Sequence, residues 1–81
     1  MSIDDIRAYI RDRILMEPDL SLGEDDDLLL SNVLDSLRVM LLISHLEESS
    51  GITIPPEDVT LENFQSLRRI HRYLDQRRTA A

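Results

Sequence analysis

Apolar residues recur at spacings of three and four at the start of the chain, which is the period of one helical face. The positions are Ile3, Ile6, Ile10 and Ile14. They predict an amphipathic helix over about 2–16. Ser2 followed by Asp5 matches a capping box at its start. Pro18 limits its end, because the residue before a proline is pushed out of helical geometry.

Two more patterns with the helical period follow. One predicts a helix over 35–50, which begins at the N-cap residue Asp35 and stops before Gly51. The other predicts a helix over 63–77. Between them, Pro56 favours a short helix over 56–61, since proline suits a first helical position. The predicted core positions are Val39, Leu42, Ile43, Leu46, Phe64, Leu67, Ile70 and Leu74.

The connection over 17–34 has no clean period and is unusually long for a compact domain, and such loops are more often functional than accidental. Four consecutive acids at 24–27 have the ordinary interpretation of a solvated charge run. The leucines at 28–30 are expected to pin part of the loop to the core. The prediction is an all-α single domain over 1–81, with three main helices, one short helix, a long first loop and a frayed tail at 79–81.

Size and composition exclude several classes of function. A chain of 81 residues holds one small core and no deep catalytic cleft. There is no cysteine for a disulfide or a thiolate site, and no apolar run long enough to span a bilayer. The N-terminus lacks the pattern of a secretory signal, so a cytoplasmic location is expected. The net charge of −7 argues against a nucleic-acid partner.

The charge is unevenly distributed. Residues 17–35 contain seven acids and no base, so this segment alone equals the net charge of −7. Residues 64–81 contain five arginines against the single acid Asp75. Every basic residue is an arginine. The acidic excess therefore belongs to the first loop.

Few residues offer chemistry. His45 and His71 lie far apart in the sequence without a partner in metal-ligand spacing, so no metal site is predicted. There is no glycine-rich phosphate loop, and no enzyme active site is expected.

The remaining candidate for a functional site is the motif Asp35-Ser36-Leu37, which lies where the acidic loop meets the second long helix. Free N–H groups in the first turn of that helix would support a phosphate on Ser36. Asp35 would cap the helix or present its carboxylate to the metal ion of an incoming enzyme. A serine beside an N-cap is also ordinary helix chemistry.

The setting of this motif resembles the acyl and peptidyl carrier proteins over nearly the whole chain. The matching stretches are 27–30, 33–40, Leu46-Glu47-Glu48, 52–55 and Asn63-Phe64. The resemblance implies a four-helix bundle with a short third helix. It also implies that a phosphopantetheinyl transferase attaches 4′-phosphopantetheine, derived from coenzyme A, to Ser36, with Asp35 in support. The thiol of that arm would hold an acyl or aminoacyl group as a thioester. The resemblance implies a non-catalytic carrier, and a monomer is expected. Because the chain starts with Met and covers one module, it is expected to be a discrete carrier.

Some positions depart from the family pattern. Val33 stands where the family usually has glycine, so the turn into the helix is expected to differ. Arg38 and Leu41 stand where fatty-acid carriers commonly have acids. The expected docking residues are Leu37, Arg38, Met40 and Leu41.

This mixed apolar and basic face favours specialised biosynthesis of polyketides, nonribosomal peptides or related compounds. The expected partners are a dedicated activating ligase and synthase or transferase enzymes. Two alternatives remain: a housekeeping fatty-acid carrier, and an unmodified interaction module that uses the same helix face.

Overall fold

The computed structural model describes residues 1–79, and these are helical with no β-strand among them. Helix α1 spans Ile3–Tyr9 and continues as a π-helical turn over Ile10–Ile14. Helix α2 spans Ser36–Ser50. A 3₁₀ turn at Pro56–Asp58 precedes the short helix α3 at Leu61–Phe64 and the last helix, α4, at Leu67–Thr79. The all-α fold with a long first loop is confirmed. Of the expected frayed tail, Ala80 and Ala81 lie outside the described residues.

The capping box predicted at the first helix is present. The Ser2 hydroxyl accepts a hydrogen bond from the Asp5 N–H at 3.1 Å, and the Asp5 carboxylate accepts one from the Ser2 N–H at 3.0 Å. The helix ends earlier than 16, because the π turn is followed by Met16 in the left-handed region at φ 55°. Pro18 lies just beyond this end.

The segment before the last helix differs from the predicted helices over 56–61 and 63–77. Two caps separate the 3₁₀ turn, the short helix α3 and the long helix α4 from one another. The Thr60 side chain accepts from the Asn63 N–H at the start of α3, and the buried Ser66 hydroxyl accepts from the Arg69 N–H at the start of α4. A capping hydroxyl competes with helix continuation, since it holds its own residue in non-helical geometry.

One core joins all four helices and the first loop. Leu22, Leu28 and Leu34 bring the loop into it. The helical residues in the core are Ile6, Ile10, Leu42, Leu46, Phe64, Leu67, Ile70, Tyr73 and Leu74. All the predicted core residues are buried except Val39 and Ile43, which are half-buried at its edge. Of the three consecutive leucines, only Leu28 is fully buried, while Leu30 is 68% exposed.

The acids of the first loop bind neighbouring groups rather than forming a purely solvated run. Arg68 of α4 binds the carboxylates of Glu24 at 2.8 Å and Asp25 at 2.7 Å. Asp27 accepts hydrogen bonds from the Leu30 N–H at 2.7 Å and from the Gln65 side chain at 3.0 Å. The loop is thereby fastened to the start of α4.

These contacts lower the pKa values of two loop carboxyl groups. The hydrogen bond from Arg68 holds the pKa of Asp25 below its usual value. The hydrogen bond from Gln65, with those from the backbone N–H groups of Leu30 and Leu29, lowers the pKa of Asp27. Both carboxylates are therefore held in the charged form by the fold.

The extended segment after α2 is fastened to α4 as well. The buried Tyr73 donates its hydroxyl to Asp58 at 2.6 Å, and Arg77 donates to the Thr53 carbonyl at 2.9 Å. Burial, followed by the neighbouring Asp58 carboxylate, raises the pKa of Tyr73 to about 12. Helix α4 thus holds both the first loop and the 3₁₀ turn in place.

We expect Arg68→Ala to lower the melting temperature and to speed hydrogen exchange at the Leu28 N–H. That N–H donates to the Gln65 carbonyl at 2.7 Å, so it reports whether the loop stays on α4. The matched control is Arg72→Ala, because Arg72 makes no ion pair among residues 1–79. Equal exchange rates in the two variants would contradict the anchoring role of Arg68.

We expect Asp27→Asn to weaken the pH dependence of stability in acid. The pKa of Asp27 is lower in the folded chain than in the unfolded one, where it is about 3.9. Its carboxylate therefore stabilises the fold above that pH, and the contribution is lost as pH falls through the folded-state pKa. Melting temperatures measured from pH 5 downward should fall less steeply in this variant. Asp19→Asn, at an exposed loop acid, should keep the wild-type slope.

Candidate functional site

The start of α2 is built around Asp35. Its backbone is extended, and its carboxylate accepts a hydrogen bond from the Arg38 N–H at 2.9 Å. This is the N-cap geometry predicted from the sequence. Ser36 is the first residue of the helix and is exposed. Its hydroxyl therefore lies in the first turn, where backbone N–H groups lack helical partners.

The turn into α2 contains one residue in the left-handed region, and that residue is not Val33. Asn32 has φ 64°, and Val33 is not among the residues with positive φ. Asparagine tolerates the left-handed region better than a β-branched residue does. The left-handed residue of this turn is thus Asn32, one residue before Val33.

The predicted docking residues lie on the outer side of α2. Leu37 and Met40 are each 68% exposed, and Leu41 is 47% exposed. Arg38 is half-exposed, and its guanidinium donates to the Val33 carbonyl at 3.4 Å. No acid occurs in α2 before Glu47. The first two turns therefore present an apolar surface with one positive charge beside it.

A groove of about 820 Å³ runs along another side of α2. From α2 and its N-cap, the lining residues are Asp35, Ser36, Val39, Met40, Ile43, Ser44 and Glu47, so the exposed Met40 belongs to both surfaces. The opposite wall comes from the loop and the 3₁₀ region and comprises Leu29, Asn32, Leu34, Pro56 and Val59. Ser36 lies at one end of the α2 wall and Glu47 three turns further on. The candidate serine therefore borders the groove.

The remaining titratable residues form no alternative centre. His45 stacks on the Tyr9 ring with centroids 3.6 Å apart, so it helps to pack α2 against the start of the chain. No cluster of three or more His, Asp or Glu with metal-binding geometry occurs in the part of the chain that the structure describes. None of the helices within residues 1–79 combines the length and apolar character of a membrane span.

Comparison with known proteins shows to which family the chain belongs. Residues 4–74 match the family described as "Phosphopantetheine attachment site". The chain belongs to this carrier family. The carrier is 35% identical over 74 residues to the 4-methyl-3-hydroxyanthranilic acid carrier protein of Streptomyces anulatus, covering 91% of this chain and 90% of that protein. It is 34% identical over 70 residues to the D-alanyl carrier protein of Streptococcus pyogenes serotype M1, covering 86% and 87%.

A solved structure gives the same fold. A chain in a crystal structure described as that of an FAD-dependent dehydrogenase superposes with a TM-score of 0.74 at 26% identity. The match covers 84% of the carrier and 96% of that chain. The acyl-carrier-like four-helix fold with a short third helix is therefore confirmed.

The prosthetic group of the family, 4′-phosphopantetheine, fits the residues present. The group needs an accessible hydroxyl and a place for a phosphodiester. The start of α2 offers an exposed serine in a first helical turn, with unpaired N–H groups and the positive end of the helix dipole. When bound, the group supplies a thiol that holds an acyl group as a thioester.

Sequence reasoning missed the groove, although a periodic signal for it exists. Ser36, Val39, Ile43 and Glu47 are spaced by three, four and four residues and so share one stripe of α2. Of these four, the sequence analysis predicts Val39 and Ile43 as core residues and does not connect them with Ser36. The opposite wall could not be inferred, because it depends on how the 3₁₀ turn packs against the loop.

We expect Leu41→Ala to leave the melting temperature near that of the wild type. The matched control is the adjacent Leu42→Ala, which should lower the free energy of unfolding by about 2–5 kcal/mol because Leu42 is fully buried. Chemical denaturation of both variants tests the assignment of the two faces. A comparable loss in both would place Leu41 in the core.

Proposed function

We propose that Ser36 is the residue to which 4′-phosphopantetheine is attached, and that residues 1–81 form one discrete carrier domain. The observation that carries the proposal is the place of Ser36, which is exposed on the first turn of α2 and lines the groove. The N-cap bond of Asp35 supports a fixed helix start. The second carboxylate oxygen of Asp35 would face a transferase and its metal ion.

The proposed docking face is Leu37, Arg38, Met40 and Leu41. A contiguous exposed apolar patch on a small protein commonly marks a contact surface. Since α2 has no acid before Glu47, a partner with a strongly basic patch gains little from docking here. An apolar partner surface that carries a carboxylate opposite Arg38 fits better. This favours dedicated partner enzymes over those of housekeeping fatty-acid synthesis.

We infer that the cargo is an acyl group derived from an amino acid or an aminobenzoic acid. The two relatives support this, since one is a D-alanyl carrier and the other a carrier of a hydroxyanthranilic acid. The partners are then a phosphopantetheinyl transferase, an ATP-using ligase that loads the thiol, and synthase or transferase enzymes. The chain solved under the description of an FAD-dependent dehydrogenase supports flavin enzymes as a further class. The carrier would act as a cytoplasmic, non-catalytic monomer.

Attachment is tested by incubation with coenzyme A, Mg²⁺ and a broad-specificity phosphopantetheinyl transferase, followed by intact-mass measurement. We expect the wild type to gain one arm and Ser36→Ala to gain none. The matched control is Ser44→Ala, an exposed serine of the same helix, which should be modified like the wild type. A wild type that gains no arm would favour the alternative of an unmodified interaction module. A Ser36→Ala variant that still gains an arm would show that the arm is attached to another residue.

A further inference from the structure

We propose that the guanidinium group of Arg38 binds the phosphodiester through which the arm is attached, and so holds the first bonds of the arm at the start of α2. The inference rests on the proposed attachment to Ser36. It adds a binding residue for the prosthetic group at a position where fatty-acid carriers commonly have an acid. Four features of the structure support it: the direction of the Arg38 side chain, its reach, its unused donors, and the charge at this end of the helix.

The Arg38 side chain runs back to the start of α2. Its Nη1 donates to the carbonyl of Val33 at 3.4 Å, five residues earlier in the chain. Side chains on a helix tilt toward its N-terminus, which favours this direction. The guanidinium group is therefore directed to the end of the helix at which Ser36 is the first residue.

The two side chains have the reach to meet over this end of the helix. About 5.4 Å separates the Cα atoms of residues i and i+2 in an α-helix. An extended arginine places its terminal nitrogens ~7 Å from Cα, and a phosphodiester on serine places its oxygens ~4 Å from Cα. Ser36 and Arg38 leave the helix on different sides, so the contact forms across the helix end, where the bond to Val33 already directs the guanidinium group.

Most of the hydrogen-bond donors of Arg38 are unused. A guanidinium group has five N–H donors. Within residues 1–79 it makes the one hydrogen bond to Val33, which is long and therefore weak, and it forms no ion pair with a carboxylate. Nη2 and Nε are thus available for the two parallel hydrogen bonds by which arginine binds a phosphate group.

Attachment of the arm places a second negative charge at the start of α2. The phosphodiester joins the Asp35 carboxylate at the N-cap, and the helix dipole offsets part of the repulsion between them. Between Arg13 and Arg68 the sequence contains no lysine or arginine other than Arg38. Arg68 itself is paired with two acids of the first loop. Arg38 is therefore the cationic side chain that α2 supplies to neutralise the phosphodiester.

This contact makes the stability gained on attachment depend on Arg38. The interaction of the phosphodiester with the helix dipole does not need the Arg38 side chain, so it cancels when variants are compared. We expect attachment to raise the melting temperature by about 1–6 °C more in the wild type than in Arg38→Gln, the range for a partly exposed ion pair in a domain of this size. Two donors satisfy the phosphodiester, so others remain for a carboxylate of a docked partner.

The test compares the full chain with and without the arm in the wild type and three variants. Intact mass first verifies that each protein carries one arm. Arg38→Gln removes the charge. Arg38→Lys keeps the charge without the planar fork and should retain only part of the wild-type gain. The matched control is Arg72→Gln, which should keep the whole gain, because Arg72 is exposed on α4 and makes no ion pair within residues 1–79.

Phosphorus NMR observes the phosphodiester directly. We expect the phosphorus resonance to agree in the wild type and Arg72→Gln. In Arg38→Gln it should move toward its position in the urea-unfolded protein. Added salt should shift the wild-type resonance in the same direction, because it screens an exposed charge pair.

Two results would overturn the proposal: equal gains in melting temperature in the wild type and Arg38→Gln, or a phosphorus resonance that Arg38→Gln leaves unchanged. A further measurement needs no variant to fold. The Nε–H resonance of Arg38 should shift when the arm is attached to the wild type, and an unchanged resonance contradicts the contact. A wild type that gains no arm refutes the proposed attachment, and the mass measurement separates that result from a failure of phosphodiester binding.

Discussion

The fold depends on fastening a long loop to the start of α4. The loop must lead from the first helix to Ser36, and ordering so many residues has a large entropic cost. The cost is offset where Leu28 enters the core and its N–H donates to the Gln65 carbonyl. Arg68 holds the loop beside this point through Glu24 and Asp25. Without this attachment, neither the start of α2 nor one wall of the groove would have a fixed position.

This attachment changes the meaning of the net charge. The acids at 24–27 have the composition of a solvated run, yet each side chain binds a neighbouring group. Part of this negative charge is thus paired with Arg68 of α4 and holds the loop to that helix. The acidity of the chain therefore says little about the proposed docking face, which carries Arg38 and exposed leucines. The net charge of a chain therefore indicates the charge of its partner only when the acids and bases that pair within the fold are left out of the sum.

The sequence predicts the parts of this structure that depend on local chemistry. The caps at Ser2 and Asp35 and the helix end at Gly51 follow from a side chain and its nearest backbone groups, and all three are present. The split between α3 and α4 was not predicted, because the apolar period runs across Ser66 and only the buried environment shows that its hydroxyl caps a new helix. The left-handed Asn32 was missed for a similar reason: the family pattern directs attention to Val33.

Helix α2 explains how so small a carrier can present both the proposed docking face and a groove. At about 100° per residue, its side chains divide into three stripes. Leu42 and Leu46 fill the core, Leu37 and Leu41 face outward, and Ser36 shares the third stripe with Glu47. An arm attached to Ser36, as proposed, would start from a serine that borders both surfaces. Met40 belongs to the exposed apolar face and also lines the groove, so the two surfaces meet at this residue and a substitution there would change both.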